Sequence, residues 1–208
     1  MKVIALTGSF GTGKSTVDSL FLKQGVPYLD SDIIAHELTQ PHSAAWTEIV
    51  NTWGNKILTK DLNIDRQKLS KIVFSSDSDR KTLESILHPK IMNILQKKIE
   101  EHRKQKTPLL VVDIPLFFEI GWYETDWFDY ILLVSSKSEQ QMARLIKAGH
   151  WNEKDIKQRL KAQWPLEQKK ALADFVIDNS GNIQETEQQV SAILEKLKRA
   201  SGSPRASE

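Results

Sequence analysis

Residues 8 to 16 read GSFGTGKST, and they directly follow MKVIALT, an apolar run at residues 1 to 7 that fits a buried strand. Gly8, Gly13 and Lys14, followed by a hydroxyl, match the spacing G-x-x-x-x-G-K-[ST] of a phosphate-binding loop, or P-loop. An amphipathic helix pattern comes next, which is the context that the motif requires. Glycines in this context let successive backbone N–H groups turn inward around phosphate oxygens at a helix N-terminus. The stretch therefore predicts a nucleoside triphosphate site.

The side chains of this loop suggest separate roles. Lys14 is placed to reach the β and γ phosphates, and the Ser15 hydroxyl is a ligand for Mg²⁺. We expect Thr16 to begin the helix. A glycine-rich turn without a ligand is the alternative, but every position from 8 to 16 agrees with a phosphate cradle.

Short apolar runs divide the chain, at residues 3–6, 26–29, 109–112, 130–134 and 175–177. Their hydrophobicity is continuous rather than alternating, which is typical of parallel strands buried on both faces. Stretches with helical spacing lie between them. We therefore predict an α/β fold of the P-loop NTPase type, with a five-stranded parallel sheet flanked by helices.

We expect a single P-loop kinase domain at residues 1–200. The gap between the second and third strands is far longer than one crossover helix needs, so it predicts a helical acceptor-binding insert, and a later helical segment predicts a lid. The expected boundaries are 1–33, 107–136 and 173–200 for the core, about 34–106 for the insert, about 137–172 for the lid and 201–208 for a disordered tail.

Local signals indicate three helices within the insert. Ser43 and Asp65 are residue types that cap helix N-termini, and the apolar spacing after each of them fits a helix. Pro89 is expected in the first turn of a third helix, where a proline costs no hydrogen bond.

The composition excludes several kinds of protein. The 208 residues include no cysteine, which excludes disulfides and thiolate metal sites, and no apolar stretch approaches the roughly 20 residues of a membrane span. A net charge of +2 gives no general argument for nucleic acid or a membrane surface as a partner. We therefore expect a cytoplasmic monomer that binds small molecules.

Two strand ends carry carboxylates that phosphoryl transfer would need. Asp30 and Asp32 stand where the second strand ends, and Asp32 is placed to accept the proton of an acceptor hydroxyl or to orient that hydroxyl. The alternative is that Asp30 or Asp32 only caps the next helix. Asp113 ends the third strand, where it either holds Mg²⁺ through water or belongs to a turn.

Positive charge is concentrated in the expected lid, with nine Lys and Arg against four Asp and Glu between residues 137 and 170. Arg144 and Arg159 either bind phosphoryl oxygens with their guanidinium forks or form a solvated face. The P-loop alone does not separate a small-molecule kinase from a switch protein. The sequence lacks the N-K-x-D motif with which a GTPase reads guanine, which favours the kinase.

Several segments together resemble the dephospho-CoA kinase (CoaE) family, whose architecture is like that of nucleoside monophosphate kinases. They are ALTGSFGTGKST at 5–16, YLDSD at 28–32 followed by IAHEL, LHP at 87–89, DIPLFFE at 113–119 and ADFVIDNSG at 173–181. The resemblance runs from residue 1 to about residue 198. It implies ATP-dependent phosphorylation of the ribose 3′-hydroxyl of dephospho-CoA, the last step of coenzyme A synthesis, with Mg²⁺ as cofactor. Another P-loop nucleoside or nucleotide kinase is the alternative, and a nucleotide-dependent switch or binding protein is a more distant one.

The resemblance and the motifs together imply a set of site residues. The catalytic residues would be Asp32, Lys14 and Arg144. The ATP-binding residues would be Gly8, Gly11, Thr12, Gly13, Lys14, Ser15, Thr16, Arg144, Arg159 and Asn179. The acceptor-binding residues would be Asp32, Arg66, His88, Asp113, Pro115 and Leu116, and Mg²⁺ would bind Ser15 and, through water, Asp113. A histidine placed as His88 is, however, more often a capping or core residue.

One position departs from the family. Its members usually carry a second lid arginine shortly after the first, and this chain has Lys147 and Ala148 there. A lysine supplies the charge but not the bidentate fork. We therefore expect phosphoryl transfer to depend more on Arg144 and Arg159.

Overall fold

The computed structural model describes residues 1–149 and 151–199. The strands are β1 (Lys2–Gly8), β2 (Tyr28–Asp30), β3 (Leu109–Asp113), β4 (Tyr130–Ser135) and β5 (Phe175–Asp178). The α-helices are α1 (Lys14–Lys23), α2 (Ser31–Leu38), α3 (Ala44–Trp53), α4 (Arg66–Ser75), α5 (Asp77–Lys104), α6 (Ser138–Lys147), α7 (Glu153–Lys161), α8 (Leu166–Leu172) and α9 (Ile183–Arg199). Short 3₁₀ turns occur at Asn55–Ile57 and Trp122–Glu124. The expected tail at 201–208 lies outside the described residues.

The strands form one sheet in the order β2-β3-β1-β4-β5. β1 pairs in parallel with β3 on one side and with β4 on the other, so that Leu6 lies opposite both Asp113 and Leu132. The prediction of a five-stranded parallel sheet is confirmed. Because β1 and β3 are parallel neighbours, the P-loop that follows β1 begins beside the carboxyl end of β3.

The chain divides into two compact units. The first combines Met1–Leu29 with the chain from His102 onward, and it contains most of the sheet. Its core is an apolar cluster from β1, β4 and the helices α1 and α9, which includes Leu6, Phe21 and Leu194. These side chains are almost completely buried, so burial of this cluster is a main source of the unit's stability.

The second unit is Asp30–Glu101 and is helical. Ser43 caps α3, accepting a hydrogen bond from the Trp46 N–H at 3.1 Å, and Asp65 caps α4 through the N–H groups of Gln67 and Lys68, each at 3.1 Å. Both capping predictions are confirmed. The helices of this unit bury their own apolar cluster, formed by Ala45, Ile49, Trp53, Ile57, Leu69, Val73 and Ile86.

The prediction that Pro89 begins a helix is wrong, because Pro89 lies in the interior of α5. Ile86 precedes it, Ile91 and Leu95 follow it, and all three are buried. Apolar burial on both sides of the proline favours one continuous helix, which offsets the hydrogen bond that proline cannot donate. In the part of the chain that the structure describes, no helix is long and apolar enough to cross a bilayer.

Pro89→Ala should stabilise the protein. Pro89 is exposed and inside α5, so alanine would restore an N–H able to bond to the carbonyl of Ser85 and would remove the ring from the helix interior. We expect the free energy of unfolding in urea to rise by about 1 to 3 kcal/mol. Lys97→Ala, at another exposed position of α5, is the control and should change it by less than about 0.5 kcal/mol. A loss of stability in Pro89→Ala would contradict this account.

Candidate active site

The P-loop curls between β1 and α1 because two of its glycines adopt a backbone conformation that other residues rarely take. Gly11 and Gly13 have φ angles of 81° and 82°. A Cβ atom on Gly13 would lie 2.2 Å from Nδ2 of Asn179, so the position also has no room for a side chain. Within the loop, the Thr12 N–H donates to the Ser9 carbonyl at 3.1 Å. The loop therefore has the curled backbone at the N-terminus of α1 on which the predicted phosphate cradle depends.

The P-loop lysine contacts a buried carboxylate. The ammonium group of Lys14 donates to Oδ2 of Asp113, and the Tyr28 hydroxyl donates to the same oxygen at 2.9 Å. Lys14 also lies 3.7 Å from the carboxylate of Asp18, one turn along α1. Because Asp113 is only 2% exposed, its charge interacts with Lys14 with little screening by water.

Two side chains distant in sequence stabilise the P-loop. Nδ2 of Asn179 donates to the Thr12 carbonyl at 2.8 Å, and Oδ1 of Asn179 accepts from the Thr186 hydroxyl at 3.0 Å. Arg144 donates to the Thr12 carbonyl at 3.2 Å and to the Asn179 carbonyl at 2.7 Å. Three predicted ATP-binding residues, Thr12, Arg144 and Asn179, are therefore in direct contact.

Arg159, also predicted to bind ATP, contacts aromatic rings near the tip of the P-loop. Its guanidinium carbon lies 3.7 Å from the ring centre of Trp151 and 5.6 Å from that of Phe10. Burial lowers the pKa of Arg159, partly opposed by Asp155, but an arginine remains charged at neutral pH. Phe10 and Trp151 were not predicted as site residues, since a lone aromatic residue in sequence is more often a packing residue.

The segment after β3 contains two predicted acceptor residues. The Pro115 carbonyl accepts from the Thr7 hydroxyl at 3.2 Å, and Leu116 is 40% exposed. Further along, Glu119 forms an ion pair at 2.6 Å with Lys169 of α8, whose side chain is fully buried. The segment is thus fixed both to β1 and to a helix of the expected lid.

The second unit distinguishes the two carboxylates of the YLDSD segment. Oδ1 of Asp30 accepts hydrogen bonds from the N–H groups of Asp32 and Ile33, at 2.7 and 3.1 Å. Asp30 is therefore the N-cap of α2. Asp32 lies in the first turn of α2 and lines a cavity of the same unit.

This cavity has a volume of about 520 Å³ and lies entirely among residues of the second unit. Its apolar wall includes Ile49, Leu69 and Val73. Its polar lining residues are Asp32, His36, Thr39, Gln40, Asn63, Arg66 and Ser70. Apolar walls with a few polar groups are typical of small-molecule sites.

Two predicted acceptor residues, Asp32 and Arg66, line the same cavity, and a third residue joins them. Nη2 of Arg66 contacts Nδ1 of His36, a pairing that requires that nitrogen to be unprotonated when the arginine donates. His36 was not predicted as a site residue. The signal for it was its position four residues after Asp32, which places both on one face of α2.

The predicted acceptor residue His88 lies in the middle of α5 and is not among the residues that line this cavity. Burial lowers the pKa of His88, although the nearby Glu84 carboxylate opposes the effect. The neutral imidazole is therefore favoured at neutral pH.

The residues of the first unit fit a magnesium–nucleotide complex. Ser15 is exposed in the first turn of α1, and the Asp113 carboxylate lies at the end of β3. Hydroxyl and carboxylate oxygens, together with phosphate oxygens, are the ligands that Mg²⁺ prefers. Among the described residues no group of three or more His, Asp or Glu side chains could hold a metal ion by itself.

Comparison with known proteins gives the family. The family profile described as "Dephospho-CoA kinase" matches residues 2–185. The chain belongs to the dephospho-CoA kinase family. A dephospho-CoA kinase of Oceanobacillus iheyensis is 38% identical over 196 residues, which are 93% of this chain and 96% of the relative. One of Arabidopsis thaliana is 36% identical over 199 residues, 96% of this chain and 85% of the relative.

Solved structures agree with this membership. The dephospho-CoA kinase of Campylobacter jejuni has 28% sequence identity and a TM-score of 0.70, with 95% of this chain and 98% of that one covered. A Thermus thermophilus protein has 30% identity and a TM-score of 0.78, with 97% and 98% covered. The shikimate kinase of Bacteroides thetaiotaomicron, with 15% identity, a TM-score of 0.53 and coverage of 95% and 98%, shares the P-loop kinase fold.

Asn179→Ala should weaken both stability and ATP binding. It would remove the donor to the Thr12 carbonyl and the acceptor of the buried Thr186 hydroxyl. We expect the free energy of unfolding to fall by about 1 to 3 kcal/mol, and the Kd for ATP, measured by calorimetry, to rise several-fold.

Thr186→Val is the matched control for this substitution. It removes the hydroxyl that donates to Asn179 but leaves the contact between Asn179 and the P-loop. We expect it to lower stability while changing the Kd for ATP by less than about twofold, since the P-loop keeps its donor. Equal effects of the two variants on ATP binding would contradict the role given to Asn179.

Proposed function

We propose that this chain phosphorylates the ribose 3′-hydroxyl of dephospho-CoA with ATP to give coenzyme A and ADP, the final step of coenzyme A synthesis. The observation that carries the proposal is the P-loop of a dephospho-CoA kinase family member, with Lys14 paired to the buried Asp113 at the carboxyl edge of the sheet. The curated relatives above are enzymes of this name.

The first unit would bind ATP. In the proposal, the backbone from Gly11 to Thr16 holds the phosphates, and Lys14 shifts from Asp113 toward the β and γ phosphates. Gly8 provides the close turn that precedes the cradle, since a Cβ there would lie 2.8 Å from the Thr12 hydroxyl. Ser15 and, through water, Asp113 would hold Mg²⁺, which when bound neutralises charge on the transferring phosphoryl group.

The second unit would bind dephospho-CoA. In the proposal, Asp32 accepts the proton of the ribose 3′-hydroxyl while the hydroxyl oxygen attacks the γ-phosphorus and the bond to the β-phosphate breaks. Arg66, positioned by His36, would pair with a phosphate of the acceptor, because a guanidinium suits phosphoryl oxygens. Pro115 and Leu116 belong to the first unit and would supply further acceptor contacts there, which the exposed apolar side chain of Leu116 supports.

The lid arginines would complete the phosphate site. Arg144 already contacts the P-loop and Asn179, which supports a role on the nucleotide side. Arg159 would supply the second guanidinium, since Lys147 cannot bind two oxygens with a planar fork. A cytoplasmic monomer is part of the proposal, supported by the composition.

The choice of acceptor is tested by supplying Mg-ATP and one acceptor at a time. We expect ADP release with dephospho-CoA, with coenzyme A as product. The proposed acceptor site must recognise the ribose 3′-hydroxyl together with the phosphates of dephospho-CoA. AMP, CMP and pantetheine 4′-phosphate are parallel acceptors and should give less than about 1% of that rate, a loss of roughly 2.7 kcal/mol in transition-state binding. Comparable turnover with another acceptor would favour another nucleotide kinase, and slow acceptor-independent hydrolysis would favour a switch protein.

Asp32→Asn should remove most turnover while leaving ATP binding intact. An amide cannot accept the proton, and general-base catalysis contributes about 10²- to 10⁴-fold, so we expect kcat to fall by that range. The control is Asp30→Asn, which keeps the N-cap because asparagine caps as well as aspartate. Near-normal kcat in Asp32→Asn, with coenzyme A still formed, would remove Asp32 from the mechanism.

A further inference from the structure

The tip of the P-loop is held by side chains of the segment between β4 and β5. The Phe10 N–H donates to Oε1 of Gln163 at 2.9 Å, and Nε2 of Gln141 donates to the Phe10 carbonyl. Both backbone groups of Phe10 are thus bound by side chains from helix α6 and from the turn after α7. A P-loop needs no such contacts for its own geometry, since its curl comes from the glycines.

The side chain of Phe10 belongs to the same arrangement. Its ring meets the Trp151 ring edge-on, with centroids 5.9 Å apart. The Arg159 guanidinium lies over the Trp151 ring at 3.7 Å and 5.6 Å from the centre of the Phe10 ring. These three residues are called the aromatic–arginine stack below. It joins the P-loop tip, the residues just before α7 and the last turn of α7.

We propose that Trp151 and Phe10 are positioning residues that hold Arg159 beside the P-loop so that its N–H donors meet ATP phosphates. This deepens the proposed function and rests on it for the role of Arg159. A guanidinium carbon 3.7 Å from a ring centre is at the distance at which the guanidinium face stacks on a ring, and the N–H donors lie in the guanidinium plane, so ring contact and phosphate binding are compatible. A long arginine side chain loses much rotamer freedom when it binds, and a stack that fixes it beforehand reduces that loss on ATP binding.

Arg159 differs from a neighbouring cation of the expected lid in its exposure to solvent. Lys157, two residues earlier, is 66% exposed and pairs with Glu153 at 2.6 Å, so it faces solvent on α7. Arg159, by contrast, is partly buried against the P-loop tip. Burying part of a cation costs desolvation free energy, and the two aromatic rings offset that cost because their faces attract a cation.

The proposal is tested by a double-mutant cycle on ATP binding. Trp151→Ala, Arg159→Ala and the double variant are titrated with ATP by calorimetry, with the full-length chain in each case. We expect Arg159→Ala to raise the Kd about tenfold and Trp151→Ala about fivefold. The double variant should bind like Arg159→Ala alone, within about twofold, because Trp151 acts only through Arg159.

Three further variants distinguish the positioning of Arg159 from a loss of positive charge or of stability. Trp151→Phe keeps an aromatic face and should restore the Kd to within about twofold of the unsubstituted protein. Arg159→Lys keeps the charge but not the planar group and should resemble Arg159→Ala. Lys157→Ala removes a cation from the same helix and should leave the Kd unchanged. Thermal melts of every variant identify any that fail to fold, in which case Trp151→Phe and Arg159→Lys carry the comparison.

The outcomes are distinct. If the effects of Trp151→Ala and Arg159→Ala multiply in the double variant, or if Trp151→Ala leaves the Kd for ATP unchanged, the positioning role is wrong and the stack only packs the segment. If Lys157→Ala weakens binding as much as Arg159→Ala, the effect is one of net charge and the proposal also fails. If instead the proposed function is wrong, there will be no turnover with dephospho-CoA, but ATP will still bind. The effects of the Trp151 and Arg159 substitutions on the Kd for ATP will then still be non-additive.

Discussion

The parallel pairing of β1 between β3 and β4 is the constraint from which the nucleotide site follows. It places the carboxyl ends of adjacent strands at one edge, so the loop after Gly8 begins beside Asp113 although the two are far apart in sequence. Lys14 can then pair with a carboxylate that is almost completely buried at the end of β3. The pairing of β1 with β3 therefore brings together the P-loop and the carboxylate with which its lysine forms an ion pair.

Residues later in the chain also contact the P-loop. Asn179, at the end of β5, and Arg144, in α6, both bind the Thr12 carbonyl, and the aromatic–arginine stack contacts the loop at Phe10. Arg144, Trp151 and Arg159 lie in the region of the chain that carries the excess positive charge, whereas Asn179 follows that region. Hydrogen bonds and a ring contact thus connect the expected lid segment to the P-loop.

Signals in the sequence led to correct predictions where the stabilising contacts join residues close together in the chain. Ser43 and Asp65 cap helices because a short polar side chain bonds N–H groups only two or three residues away. The same reasoning could not separate Asp30 from Asp32, since both stand at capping distance from the first turn of α2, and only the observed hydrogen bonds identify Asp30 as the cap. It failed at Pro89, because burial of Ile86, Ile91 and Leu95 depends on partners outside the local stretch.

The sequence by itself determined the P-loop, the parallel sheet and the family, since motif spacing and continuous apolar runs are read along the chain. The tertiary structure decided which side chains meet: Tyr28 and Lys14 on Asp113, His36 on Arg66, and Trp151 on Arg159. The members of each pair come from different parts of the fold, and their spacing along the sequence does not predict that they meet. Their contacts depend on how strands and helices pack, because packing brings distant side chains within bonding distance while sequence spacing fixes only neighbours along one element.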